Sequence, residues 1–175
     1  LKMVADDLKQ EIAVALTGLS AEQMDLSPAG RPEAWSIRHI AEHLRLCFEL
    51  TTHAFHEQLE RGRPTRAVAT LRQAIARFTV LRLGRIPYGV KAHAFVEPTR
   101  PMEGECGEAV VARLARSVDV MQQIIAEGEQ EFHNRSAVRH FVLGPLTAAQ
   151  WWRFHQLHTR HHLAQIVAIC KEAGV

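Results

Sequence analysis

Five stretches of the chain place apolar residues at helical intervals, and turn-forming residues separate them. Over 4–19, Ala5, Leu8, Ile12, Leu16 and Leu19 recur every three or four positions around Asp6, Lys9, Gln10 and Glu11, which predicts an amphipathic helix whose end Gly18 and Ser20 weaken. Ser27-Pro-Ala-Gly-Arg-Pro reads as a loop. A long helix then runs from about Trp35-Ser36 without a breaker until Gly62-Arg-Pro64. Residues 67–82 form a shorter helix with Val68, Leu71, Ile75 and Phe78 as its apolar stripe, and Gly84 to Pro101 an irregular crossing with three prolines. Another amphipathic helix, about 107–127, carries Val110, Leu114, Val118, Met121 and Ile125. Thr147 is placed to cap the last helix, which runs to about Lys171. Strand-type alternation is almost absent, and there is no internal repeat. The pattern predicts one all-α domain over residues 1–175, a four-helix bundle with one extra short helix in the long crossover.

Composition narrows the class without changing that picture. At 175 residues, 47% apolar and 23% charged, the chain can bury a sizeable core and looks like an ordinary globular protein. No apolar run approaches the roughly 18 residues of a membrane span, and the acidic start lacks the apolar core of a secretory signal. Cys47, Cys106 and Cys170 are odd in number and widely spaced, which argues against a disulfide framework and for a reducing cytoplasm. Charge is uneven. Residues 61–100 hold nine Arg and Lys against one acid, Glu97, a balance of +8 hidden in the overall +2. A solvated face is the simplest account, and a pocket for an anionic substrate or thiol cofactor comes next. Nucleic acid ranks last, because with Phe95 read as packing only Phe78 and Tyr88 are available for stacking, and the arginines do not share a helical face.

The eleven histidines carry the chemistry. On a helical wheel centred on His158, residues Trp151, Phe154, His162, Gln165 and Ile169 fall within about 40°, with Arg153, Gln156, Arg160 and Lys171 opposite. His155 and His161 lie at the margins. Centred on His43, the second helix groups Ser36, His39, Cys47, Leu50 and Ala54, with Ala41, Arg45 and Phe48 behind. A lone buried imidazole is usually satisfied by a carbonyl or hydroxyl. An i, i+4 pair on one stripe facing a third histidine on another helix instead favours a shared metal ion.

These residues also carry a resemblance. Trp35-Ser-Ile-Arg-His-Ile-Ala-Glu-His43-Leu44 resembles the opening of the second helix in the DinB-like superfamily, and His158-Thr-Arg-His-His162-Leu-Ala-Gln165-Ile166 resembles its closing signature. The segment His140-Phe-Val-Leu-Gly-Pro-Leu-Thr147 is similar to one branch of that superfamily, with Phe141 where the branch often has proline. The matches cover both ends of the chain, and 60–105 only loosely. The resemblance implies an up-down-down-up bundle, often a homodimer, in which His43, His158 and His162 bind zinc, nickel or iron(II). It implies a metal-dependent hydrolase or a transferase of small thiols such as bacillithiol, mycothiol or glutathione, acting on a small-molecule substrate. The alternative is a non-catalytic metal-binding or interaction domain.

Three neutral imidazoles would leave the ion its 2+ charge and at least one open position, the mark of a catalytic rather than a structural site. Thr159 follows His158, so the general base of a helical H-E-x-x-H protease is missing. Glu42 reads as a solvated carboxylate, Cys47 as a small buried hydrophobe, and His161 as a neighbour of the site or of an interface. His39 is left open as a fourth ligand, a hydrogen-bonding neighbour or a bystander. His53, His56, His93 and His133 read as surface residues. Arg82 and Arg85 are candidates to receive the carboxylates of a thiol cofactor. Leu163 and Val167, apolar on the far side of the last helix, imply a homodimer or a covering segment.

Overall fold

The two helices that carry the site each begin at a hydroxyl cap. Ser36 accepts a hydrogen bond from His39 N and starts α2 (Ile37–Glu60). Thr147 accepts from Gln150 N while the Gln150 side chain returns to the Thr147 backbone, a reciprocal box that starts α5 (Ala148–Ala173). In this computed structural model, which describes residues 2–86, 93–99 and 104–175, the other helices are α1 (Lys2–Leu16), α3 (Leu71–Arg77) and α4 (Gly107–Phe132). Tyr88, Lys91 and Arg100 of the basic segment lie outside the described residues.

The result is an all-α bundle in which α1 and α2 each lie against both α4 and α5. The periodic residues supply its core: Leu8, Ile12 and Leu16 of α1, Leu44 and Phe55 of α2, Leu114 and Met121 of α4, and Ile166 of α5 are all buried. Gly107 marks the closest approach. Its N–H donates to the Leu19 carbonyl at 2.8 Å, and a Cβ there would meet the Leu16 carbonyl oxygen at 1.8 Å, so no other residue fits without moving α1 from α4. Arg38, buried at the start of α2, ties that helix to its surroundings by donating to Asp25 Oδ1 (2.6 Å), Ala21 O (2.6 Å) and Glu105 O (2.9 Å).

Several expectations need correction. The first helix ends at Leu16, three residues early, because Gly18 turns the chain at φ +90°. The helix expected over 67–82 is the seven-residue α3 followed by a π turn at Phe78–Arg82, and its whole apolar stripe faces outward. Although strand patterning is nearly absent, β1 (Val138–His140) and β2 (Gly144–Leu146) form a two-stranded antiparallel ribbon, with Val138 opposite Leu146 and His140 opposite Gly144. Gln156 and Phe48, assigned to the outer faces of their helices, are buried, because α2 and α5 have neighbours on more than one side. Leu163 is buried too and borders a groove with Glu11, Val14 and Ala15 of α1, so the chain itself supplies cover there while Val167 stays exposed. Among the described residues no helix is long and apolar enough to cross a membrane.

Candidate metal centre

α2 and α5 bring three imidazoles edge to edge. His158 Nε2 lies 3.3 Å from His43 Nε2 and 3.2 Å from His162 Nε2. The outer nitrogens of two rings are already engaged. His43 Nδ1 is 2.7 Å from the Val96 carbonyl, which can only accept, so Nδ1 carries the proton and Nε2 the lone pair. His162 Nδ1 donates to Gln165 Oε1 at 2.7 Å, with the same consequence for its Nε2. His158 Nδ1 is buried with no hydrogen-bond partner among the described residues.

All three rings resist protonation. Burial, then the neighbouring imidazoles, hold His158 well below its ordinary value of 6.5. Burial, then His43, push His162 down to about 3, and burial lowers His43 despite its bond to Val96. Two lone pairs therefore point at a third nitrogen that cannot satisfy both, in a place where adding a proton is unfavourable.

Cys47 joins this group. Its Sγ lies 3.6 Å from His43 Nε2, and the ligand atoms of His43, Cys47 and His158 all fall within 4.8 Å of one another, an arrangement able to hold a metal ion. Burial pushes the thiol up to about 12, so without a cation it stays protonated. The chain carries a local signal for this role beyond that of a small buried hydrophobe: Cys47 follows His43 by four positions, as His162 follows His158.

The remaining candidates separate clearly. His39 Nδ1 pairs with the Ser36 hydroxyl at 2.7 Å; neither it nor His162, whose Nε2 neighbours that of His158, is part of the His43–Cys47–His158 group. Glu42 is not solvated: it is buried and takes two bonds from the Arg45 guanidinium, at 2.7 and 2.8 Å. His161 is half-buried, with the Gln165 amide nitrogen 3.4 Å from its Nε2. His53, His56, His93 and His133 are exposed, as expected. The structure adds two histidines that the wheels leave at the margin or off the helices. His155 is fully buried with Nε2 2.9 Å from Thr51 Oγ1, and His140 on β1 accepts from Val142 N and Leu143 N.

The three imidazoles border a cavity of about 1300 Å³ that runs along α5 from Trp151 to Glu172. Arg31 and Arg139 border it, whereas Arg82 and Arg85 are not among the described residues that do. No curated protein and no solved structure matches the chain. A family model does, over residues 6–166, a span that takes in α2, α5 as far as Ile166 and the whole histidine cluster, and the chain belongs to the DinB superfamily that this model describes.

Proposed function

We propose that the chain holds one divalent ion between the Nε2 atoms of His43, His158 and His162, and that it is a metal-dependent enzyme, a hydrolase or a transferase of small thiols. Donor chemistry supports the ion. Nitrogens held about 2.0–2.1 Å from a tetrahedral ion are about 3.3–3.4 Å apart, and the His43–His158 and His158–His162 separations, 3.3 and 3.2 Å, are close to that edge. Val96 and Gln165 fix the outer nitrogens of His43 and His162, as acceptors behind metal-binding histidines do. When bound, the ion supplies Lewis acidity, which lowers the pKa of water or a thiol beside it. The observation that carries the catalytic reading is the cavity, because the cluster lies in its wall and not in a closed core.

The reading is checked by metal analysis followed by assays with and without chelator. We expect about one ion per chain, complete loss in His158→Ala and His162→Ala, and retention in His39→Ala. Conjugation of bacillithiol, mycothiol or glutathione to a model electrophile, or hydrolysis of an ester, should stop when the ion is removed. Full occupancy in both histidine variants would overturn the ligand set. No metal-dependent rate with any of these thiols or esters would leave a binding role.

One observation favours a second reading. Cys47 Sγ stands 3.6 Å from His43 Nε2, and nitrogen and sulfur on one tetrahedral ion are about 3.5–3.6 Å apart. A thiolate in the fourth position would close the site and make it structural. Cobalt-substituted protein separates the two: a sulfur-to-cobalt charge-transfer band lost in Cys47→Ala indicates the closed site, and its absence the open one. A homodimer is also proposed, through the groove where Val14 and Val167 remain exposed between α1 and α5. Light scattering showing a monomer would count against it.

A further inference from the structure

The wall of the cavity is sorted by chemistry. The charged residues that border it, Arg31, Glu97, Arg139 and Glu172, are all exposed and so belong to its mouth. Its interior is apolar and aromatic, broken by neutral histidines, Cys47, Thr51, Thr79 and Gln165. A charged ligand drawn inside would lose its water without a counter-charge from these walls, which is unfavourable.

A chain of rings leads from the surface to the metal centre. Phe95 (74% exposed) stacks on His93 at 4.9 Å, and His93 meets Phe141 (56% exposed) at 4.9 Å. Phe141 stacks on His140 at 5.1 Å and 11°, His140 meets Phe154 edge to face at 4.6 Å, and Phe154 stacks on His158 at 5.1 Å. Two large aromatics left this exposed at the opening of an apolar cavity suit a ligand with its own apolar faces.

His140 adds a polar requirement. Two backbone N–H groups, of Val142 and Leu143, donate to its Nδ1 at 3.0 and 3.2 Å, so in the neutral ring the proton sits on Nε2. That N–H has no hydrogen-bond partner among the described residues, and it is not among the fully enclosed atoms left without one. Burial keeps the ring neutral, holding it down at about 4.

We propose that this cavity binds a neutral, flat aromatic molecule bearing one hydrogen-bond acceptor. It enters past the exposed faces of Phe95 and Phe141, lies against Phe154 and accepts a hydrogen bond from His140 Nε2. The inference rests on reading this cavity as the functional site, and it names the class of molecule brought to the ion; binding itself does not require the ion.

Trp35 and Trp151 border the cavity, so quenching of their fluorescence reports occupancy, with calorimetry for stoichiometry. The probe is 2-acetylnaphthalene, compared with 2-ethylnaphthalene, which lacks the acceptor, and 2-naphthoate, which is charged. Each is titrated into chelator-treated and metal-loaded protein. We expect one-to-one binding of the ketone in both forms, roughly three- to tenfold weaker binding of the ethyl compound, and the weakest binding of the carboxylate in the metal-free form. His140→Phe should abolish the preference for the ketone. Phe95→Ala, an exposed change that leaves the core intact, should weaken all three probes. Absence of ketone binding up to its solubility, tighter binding of naphthoate to metal-free protein, or an unchanged ketone preference in a folded His140→Phe variant would each overturn the inference. Metal content is measured on the same samples. Failure to bind aromatics with the ion in place therefore refutes this inference alone, and aromatic binding with no ion taken up refutes the metal reading alone.

Discussion

The inner face of α5 and the outer face of α3 have opposite fates. α5 turns Trp151, His155, His162 and Ile166 into the molecule, four bulky side chains of which three carry nitrogens that need partners. α3 turns Leu71 and Ile75 outward with Val68 and Phe78 on either side of it, at 78%, 59%, 87% and 59% exposed, and buries Gln73 instead. What holds α3 in place is polar. The Gln73 side chain accepts from Thr70 N at 3.1 Å in a capping box and donates to the Phe141 carbonyl at 3.2 Å, while Arg77 donates to the Pro145 carbonyl at 3.0 Å. A seven-residue helix gains little from a single apolar stripe, and hooks to the β-ribbon decide its orientation. Periodicity says which residues share a face; it does not say what the face meets.

The contrast can be broken by measurement. The largest effect should come from the core side of α5: Ile166→Ala should destabilise the protein by about 2–5 kcal/mol, read by denaturant unfolding. Acid should come next. Burial holds His140 and His155 neutral in the fold, at about 4 and about 3, whereas in the unfolded chain they take up protons below about 6.5. The unfolded state then binds more protons, so stability of the metal-free protein should be level above about pH 7 and fall as pH drops from about 6.5 towards 4. A flat melting temperature across that range would show that these rings are not buried in solution. Gln73→Ala should cost about 1–3 kcal/mol, because it leaves a cap and a carbonyl without a partner. Smallest of all, Ile75→Ala should stay within about 0.5 kcal/mol. A loss comparable to that of Ile166→Ala would mean that the outer face of α3 is covered in solution.

The same contrast explains what could be read beforehand. The Thr147 cap and the His158–His162 pair were legible, because each depends on residues within four positions of one another. His43 was legible because its own helix places it beside other inward residues. Glu42 was not, since a carboxylate on a helix flank is solvated or buried according to what packs over it, and here Arg45 folds onto it. Arg38 escaped for the same reason: its partners at 21, 25 and 105 are set by tertiary contact. His140 and His155 share the Trp151 and Phe154 rings only because the ribbon lies against α5, a contact with no local signature.

If the proposed ligand set holds an ion, the bond between His43 and Val96 gives the crossover a part in binding it. Val96 belongs to the short 3-10 turn at Ala94–Val96, more than fifty positions along the chain from the ring it orients, and its carbonyl sets which nitrogen of His43 faces the other two. By linkage, whatever favours docking of that turn raises affinity for the ion, and the ion in turn holds the turn down. Ion uptake should therefore slow amide exchange over 93–97 as well as along α2 and α5. A proteolytic cut in the crossover should release the ion even though none of the three proposed ligands has been touched.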